Sequence, residues 1–311
     1  MQINQHTLKT TYTFKGKGLH TGKTANMTIE PAPENFGIKF RRTDLGGEAV
    51  IEALVDYVTT TARGTTLEKG EVKISTLEHL MAALYGLGVD NALINIDAQE
   101  VPILDGSSRP YVQQITADGL QEQNARRVYV RLKEKIVYRD EQTGSEIVIM
   151  PDDHFSVDLM IDYNSRVLGN QYARLDHTTD FATDIAPCRT FVFFHELEPL
   201  FKNNLIKGGD LDNAIVIVER PVPQQELDRL ADLFKVKSLE RAPEGYLNHL
   251  ELRFPNECAR HKLLDIMGDF SLVGYPVKAK VIGYKSGHRI NTIVAKALRT
   301  AAIEYLKENK I

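Results

Sequence analysis

Ser75-Thr76-Leu77-Glu78-His79-Leu80-Met81-Ala82-Ala83-Leu84-Tyr85-Gly86-Leu87-Gly88 carries apolar residues at 77, 80, 81 and 84, the spacing of a helix that closes at its glycines. Ala92-Leu93-Ile94-Asn95-Ile96 follows as a strand. The same order returns late in the chain: a helix from about Asn256 to Val273 ends at Gly274, and Lys278–Gly283 reads as the strand after it. Setting Gly88 against Gly274 without a gap brings His79 opposite Asp265, each nine residues before its glycine. An α+β unit occurring twice, with one polar residue at the same helical position in each copy, makes the space between the copies a natural ligand site.

Outward from these helices the pattern fills in. Thr11–Phe14 and Ala25–Glu30 flank the Gly-rich turn Gly16–Gly22, and Gly37–Phe40 and Ala49–Ile51 read as further strands. A helix over Pro110–Leu120 precedes the polar run Gln121-Glu122-Gln123-Asn124-Ala125-Arg126, the best linker in the chain, so the domains are expected to be 1–125 and 126–306. Beyond it, Arg127–Val137, Glu146–Met150 and Ser156–Ile161 read as strands, and Asn291 to about Leu306 as a last helix. Two domains suit 311 residues at roughly 150 per domain, a length that needs no disulfide or metal to fold. Metal, if present, serves chemistry.

Composition narrows the function. Lys+Arg 38 against Asp+Glu 42 leaves a net charge of −4, with no general attraction to nucleic acid or anionic lipid. Cys188 and Cys258 are the only cysteines, which excludes a disulfide framework and a Cys-rich zinc site and fits a reducing cytosol. The start lacks a signal-peptide pattern and no run of about 18 apolar residues occurs, so a cytoplasmic protein without stable membrane insertion is expected.

Four elements could carry chemistry. In Arg260–Phe270, His261, Asp265 and Asp269 recur at i, i+4 and i+8 on one face, with Leu263, Leu264, Ile266, Met267 and Phe270 on the other. An amphipathic helix with a His–Asp ion pair gives the same pattern. Glu78 beside His79 is the arrangement by which a zinc hydrolase keeps a general base next to the metal, although a solvated helical pair is equally compatible. Ser75 stands where an inverted zinc motif needs its second histidine, so a metal would be shared: His79 from one helix, His261 and Asp265 from the other, with an open fourth position. Zn²⁺ suits these donors, and Fe²⁺ would accept them. Third, Tyr284-Lys285-Ser286-Gly287-His288 is a turn that could present His288 as a general acid with Asp269 as partner, or a plain surface histidine. Fourth, Arg189-Thr190-Phe191 leads into Phe193, Phe194, Leu197, Leu200, Phe201 and Leu205 at helical spacing, ending at Gly208-Gly209. A core stripe would look the same. Lying outside the repeated unit, it could instead be an aromatic helix walling a site for an apolar chain, with the Thr190 hydroxyl facing an oxyanion.

Seven collinear blocks resemble one family: Gly18–Gly22, Arg41–Leu45, Ile74–His79, Pro102–Ser107, Arg189–Phe191, Arg260–Asp269 and Tyr284–His288 look like UDP-3-O-acyl-N-acetylglucosamine deacetylase, the zinc enzyme of lipid A synthesis. The resemblance implies two duplicated two-layer α/β sandwich domains, each with an insert, and an active site at the domain interface. It implies Zn²⁺ on His79, His261 and Asp265, Glu78 as general base, His288 with Asp269 as general acid, and Thr190 as oxyanion donor. Lys262 and Phe191 correspond to substrate contacts. An insert at about 190–213, carrying Phe193, Phe194, Leu197 and Gly209, is similar to the passage for the fatty acyl chain. The implied substrate is acylated UDP-N-acetylglucosamine; a monomer is expected, and in some bacteria the enzyme is joined to a hydroxyacyl carrier-protein dehydratase. The chain departs from the family in two places. No Lys or Arg occurs between Arg139 and Arg166, where some members place a basic residue for the diphosphate, and Arg63 stands where some have a cysteine able to bind a second, inhibitory zinc. A peptidase-like metal amidohydrolase and a non-enzymatic module stapled by metal are the rival readings.

Overall fold

Side chains alternating in and out along short strands build the first sheet. In the computed structural model, which describes residues 3–46, 48–197, 207–234 and 236–309, the chain opens with β1 (Asn4–Leu8), β2 (Tyr12–Lys17), β3 (Thr24–Pro31), β4 (Ile38–Arg42) and β5 (Val50–Glu52). A three-stranded sheet follows, β6 (Val58–Thr60), β7 (Thr66–Lys69) and β8 (Val72–Ser75), then helix α1 (Glu78–Leu87), β9 (Ala92–Ile96) and α2 (Arg109–Asp118). The main sheet has the order β2-β3-β9-β4-β5, antiparallel except for β4 beside β9. Its inward residues Phe14, Met27, Ile29, Phe40, Ile94 and Ile96 meet α1, whose residues 78–84 are all buried.

The polar run expected as a linker is instead β10 (Leu120–Arg126), paired antiparallel with β1. Gln123 is polar because of what it meets across the fold: it accepts from Asn91 at 2.8 Å and donates to the Ala32 carbonyl at 3.0 Å.

The second half holds β11 (Val130–Arg131), β12 (Ile136–Asp140), β13 (Ser145–Pro151), β14 (Ser156–Asp162) and β15 (Asn170–Leu175). The single strand expected over 127–137 is thus broken. After residues 176–256 come α4 (Glu257–Ser271), β18 (Val277–Tyr284) and α5 (His288–Asn309). The sheet order β12-β13-β18-β14-β15, with only β14 and β18 parallel along that path, repeats the order and senses of the first sheet. Extra elements fall at the same place in both halves, before the helix: β6–β8 in the first, and β16 (Phe191–Phe193), β17 (Ile215–Ile217) and α3 (Gln224–Phe234) in the second. The helix expected from Thr190 onward is corrected at its start, because Phe191–Phe193 pairs parallel with Ile215–Ile217; helix begins only at residue 194. Leu200, Phe201 and Leu205 lie outside the described residues.

α1 and α4 lie between the two sheets and touch backbone to backbone. A Cβ on Gly268 would stand 2.2 Å from the Glu78 carbonyl oxygen, so only glycine permits this crossing. The polar stripe of α4 is therefore not a wetted face: His261, Asp265 and Asp269 are all buried. At the rim of the same interface, Arg253 donates to Asp105 Oδ2 at 3.0 Å. Burial alone would raise the Asp105 carboxyl, but the Ser107 hydroxyl and the Arg253 guanidinium hold it below its ordinary value of 3.8.

Two outcomes follow from this packing. Gly268→Ala should destabilise the fold by about 1–3 kcal/mol, read as a lower melting temperature, because the helices must move apart. Asp105, with its folded pKa depressed, contributes stability above pH 3.8 that is lost as pH falls through the folded value. Asp105→Asn should therefore melt below the parent at pH 5–7, with the gap narrowing in acid; a gap that widens on acidification would contradict the assignment.

Candidate metal centre and its cavity

Where α1 and α4 cross, three potential ligands meet. His79 Nε2 lies 3.8 Å and His261 Nε2 3.5 Å from Asp265 Oδ1, and the possible donor atoms of the three residues all lie within 4.8 Å of one another. The imidazoles stand edge to face, 4.9 Å between centroids. Burial pushes His79 down to about 3, with His261 adding to the fall, and burial also lowers His261, so both rings are neutral. Burial would raise Asp265, yet Lys262, donating to Oδ2 at 2.8 Å, holds it well below the carboxylate range.

The residues fit a metal. Asp265 Oδ1 is buried and has no hydrogen-bond partner, an arrangement that costs free energy unless a cation takes the lone pairs. Donors about 2.0–2.2 Å from a tetrahedral metal stand about 3.4 Å apart, close to the spacings found. His261 Nδ1 lies 3.0 Å from the Cys188 carbonyl, which can only accept; the proton sits on Nδ1 and Nε2 faces Asp265 with a lone pair. Two imidazoles and a carboxylate are the donor set of a catalytic site with room for a fourth ligand.

Beside this trio stand an acid and a cation. Glu78, the first residue of α1, accepts from the Thr65 N–H at 3.1 Å, and burial raises it to about 7 against the pull of His288. His288 is the first residue of α5 rather than part of a free turn. Its Nδ1 is 2.9 Å from Asp269 Oδ2, and its Nε2 stands 3.8 Å from Glu78 and 3.9 Å from Asp265. Burial opposes its charge, but Asp269 raises it to about 10. Asp269 also accepts from the Thr65 hydroxyl at 2.5 Å and from Asn291 at 2.9 Å. Thr65 thus ties Glu78 to Asp269. Its partner Asp269 lies 204 positions away, a distance that gives no spacing signal in the sequence.

The trio opens on a cavity of about 290 Å³. Thr190, Phe191, Phe193, Leu197 and Gly209 lie in its wall, as does Lys262, whose Nζ sits 5.5 Å over the Phe191 ring. Tyr163 joins them, 5.5 Å from Phe191 and 5.7 Å from Phe193 between ring centroids. It sits at the end of β14 and no helical spacing could have pointed to it. Phe194 is not in this wall. The chain passes from strand to helix there, and the ring packs on a smaller core with Leu211, Val218 and Leu227 and borders a separate cavity with His195 and Arg220.

A profile described as LpxC, UDP-3-O-acyl N-acetylglycosamine deacetylase, matches residues 5–239 and 237–300. The chain belongs to that family. Relatives of this deacetylase family include a bifunctional enzyme LpxC/FabZ of Bacteroides thetaiotaomicron, 49% identical over 297 residues, covering 96% of this chain and 64% of that protein. A second, from Porphyromonas gingivalis, is 48% identical over 295 residues, covering 95% and 64%. The UDP-3-O-acyl-N-acetylglucosamine deacetylase of Teredinibacter turnerae is 39% identical over 301 residues, covering 95% and 90%. The chain spans just under two thirds of the length of the bifunctional relatives. No helix among the described residues is long and apolar enough to cross a membrane.

The centre yields a direct expectation: the purified protein holds one divalent metal per chain by elemental analysis. His79→Ala and Asp265→Ala should each lower that content severalfold while the far-ultraviolet circular dichroism is kept, since two cores support the fold without the ion.

Proposed function

We propose that this chain is a zinc-dependent deacetylase that hydrolyses the acetamide of UDP-3-O-acyl-N-acetylglucosamine, releasing acetate and the free amine, the reaction that commits the sugar nucleotide to lipid A. The observation that carries the reading is the convergence of His79, His261 and Asp265 from two helices with Glu78 and His288 within 4 Å of one another, in a chain of this family.

His79, His261 and Asp265 would hold Zn²⁺, which when bound would supply Lewis acidity to the acetamide carbonyl and to a water. Glu78, held by the Thr65 N–H, takes the proton of the attacking water at its free carboxylate oxygen. Thr190, fixed by hydrogen bonds from its N–H to Gly106 and from Ile215 to its carbonyl, donates its hydroxyl to the oxyanion. His288, cationic through Asp269, stabilises that charge and gives its Nε2 proton to the departing amine. Lys262 and the Phe191 ring contact the substrate, and Phe193, Leu197 and Gly209 border the acyl chain. Phe194, placed on the smaller core, is left out of that border.

The setting proposed is a cytoplasmic monomer that binds no nucleic acid. Joining to a hydroxyacyl carrier-protein dehydratase is supported by the bifunctional names of the relatives. The two structural halves, 1–125 and 126–306, are proposed as duplicated units, a reading supported by their matching strand orders.

Acetate release from the acylated sugar nucleotide should vanish on chelation with the fold intact and return with zinc. Glu78→Ala should keep the metal and lose about 10²–10⁴-fold in kcat. Metal loss in that variant would make Glu78 a ligand rather than a base; preference for peptide substrates, or an apoprotein that unfolds, would favour one of the rival readings.

A further inference from the structure

One fully buried carboxylate takes no part in the roles given so far. Glu257 is the first residue of α4 and 1% exposed, one helical turn before His261, which is one turn before Asp265. Four N–H donors converge on it. Oε1 accepts from the backbone N–H of Arg189 at 3.0 Å and from its Nε at 2.9 Å; Oε2 accepts from Arg189 Nη2 at 3.1 Å and from the backbone N–H of Arg253 at 2.6 Å. Arg189 is itself buried, and its Nη2 also donates to the Glu251 carbonyl at 2.6 Å.

The two residues flanking Arg189 both face the metal centre. The Cys188 carbonyl lies 3.0 Å from His261 Nδ1, and Thr190 lies in the cavity wall. Arg253 extends the clamp: its guanidinium donates to the Pro187 carbonyl at 2.5 Å and to Asp105 in the first half. Residues 187–190 are therefore gripped on the backbone and on the side chain of Arg189, and the grip is on the same helix that carries two of the three ligands.

We propose that Glu257 is a positioning residue for the metal centre: through Arg189 it holds the Cys188 carbonyl against His261 Nδ1, which fixes the tautomer and orientation of that imidazole, and it sets Thr190 against the reacting carbonyl. Groups that orient a metal-bound histidine typically account for 10–100-fold in metal affinity or activity when removed. Removing both charges together avoids leaving one of them buried and unpaired, the most costly outcome at such a site, although the backbone N–H groups of Arg189 and Arg253 then lose their acceptor.

The inference rests on the deacetylase reading for the roles of His261 and Thr190, and the experiment keeps the two apart. Three proteins are compared: the parent, Glu257→Gln, and the double variant Arg189→Met with Glu257→Met. Zinc affinity is measured by chelator competition, kcat and KM with the acylated sugar nucleotide, and the His261 tautomer by ¹⁵N resonances of the metal-free protein. Glu257→Gln should stay folded, bind zinc at least tenfold more weakly, lose kcat with KM little changed, and show His261 as a mixture of tautomers where the parent shows Nδ1–H alone. The double variant, which leaves no unpaired buried charge, should show the same loss of zinc affinity and of the single tautomer, and it decides the matter if Glu257→Gln does not fold. Parent-like zinc affinity and a single Nδ1–H tautomer in either folded variant would overturn the proposal. A parent that binds no zinc would defeat the deacetylase reading instead, with the tautomer of the metal-free proteins still deciding the role of Glu257.

Discussion

Everything at the centre of this molecule depends on two helices that touch backbone to backbone at a single glycine. At Gly268 the backbone of α4 lies against the Glu78 carbonyl of α1, and a single added methyl group would collide with it. That contact brings residues 78 and 79 within reach of residues 261, 265 and 269. It also seals them between two sheets, so each polar group there must be matched by a neighbour or by a bound ion.

The electrostatics follow from that enclosure. Burial keeps His79 and His261 neutral, so Lys262 and His288 are the cations that face the carboxyl groups of the cavity floor. Lys262 is held charged by Asp265 against the cost of burial. The Asp265 Oδ1 oxygen stays buried among these groups without a hydrogen-bond partner. Positive charge is welcome at that point, and burial has raised Glu78 to about 7 against the pull of the His288 cation.

Much of this was legible in the residues. The apolar spacing before Gly88 and Gly274 located α1 and α4, and the i, i+4, i+8 recurrence put His261, Asp265 and Asp269 on one face. What local pattern could not show were features set by distant partners. Gln121–Arg126 looked like a linker because its side chains are polar, yet β1 supplies its backbone partners. Phe191–Phe193 showed helical spacing but pairs with a strand more than twenty residues on. The strands β6–β8 are three or four residues long, too short for alternation to register. Thr65 and Glu257 carry no motif of their own; their meaning comes from what they touch.

The division of the candidate metal-binding residues between the halves bears on how the protein is made. His79 and His261 are 182 residues apart in the chain. At roughly 5–20 residues per second of synthesis, about 10–40 s pass between the appearance of the first ligand and the second. Through that interval the first sheet can form, closed by its own β1–β10 ribbon, while no ion can be captured by the pair of helices. An ion held by this trio would therefore be bound only after the second half has emerged and docked, and an unfinished chain has no complete trio to misload.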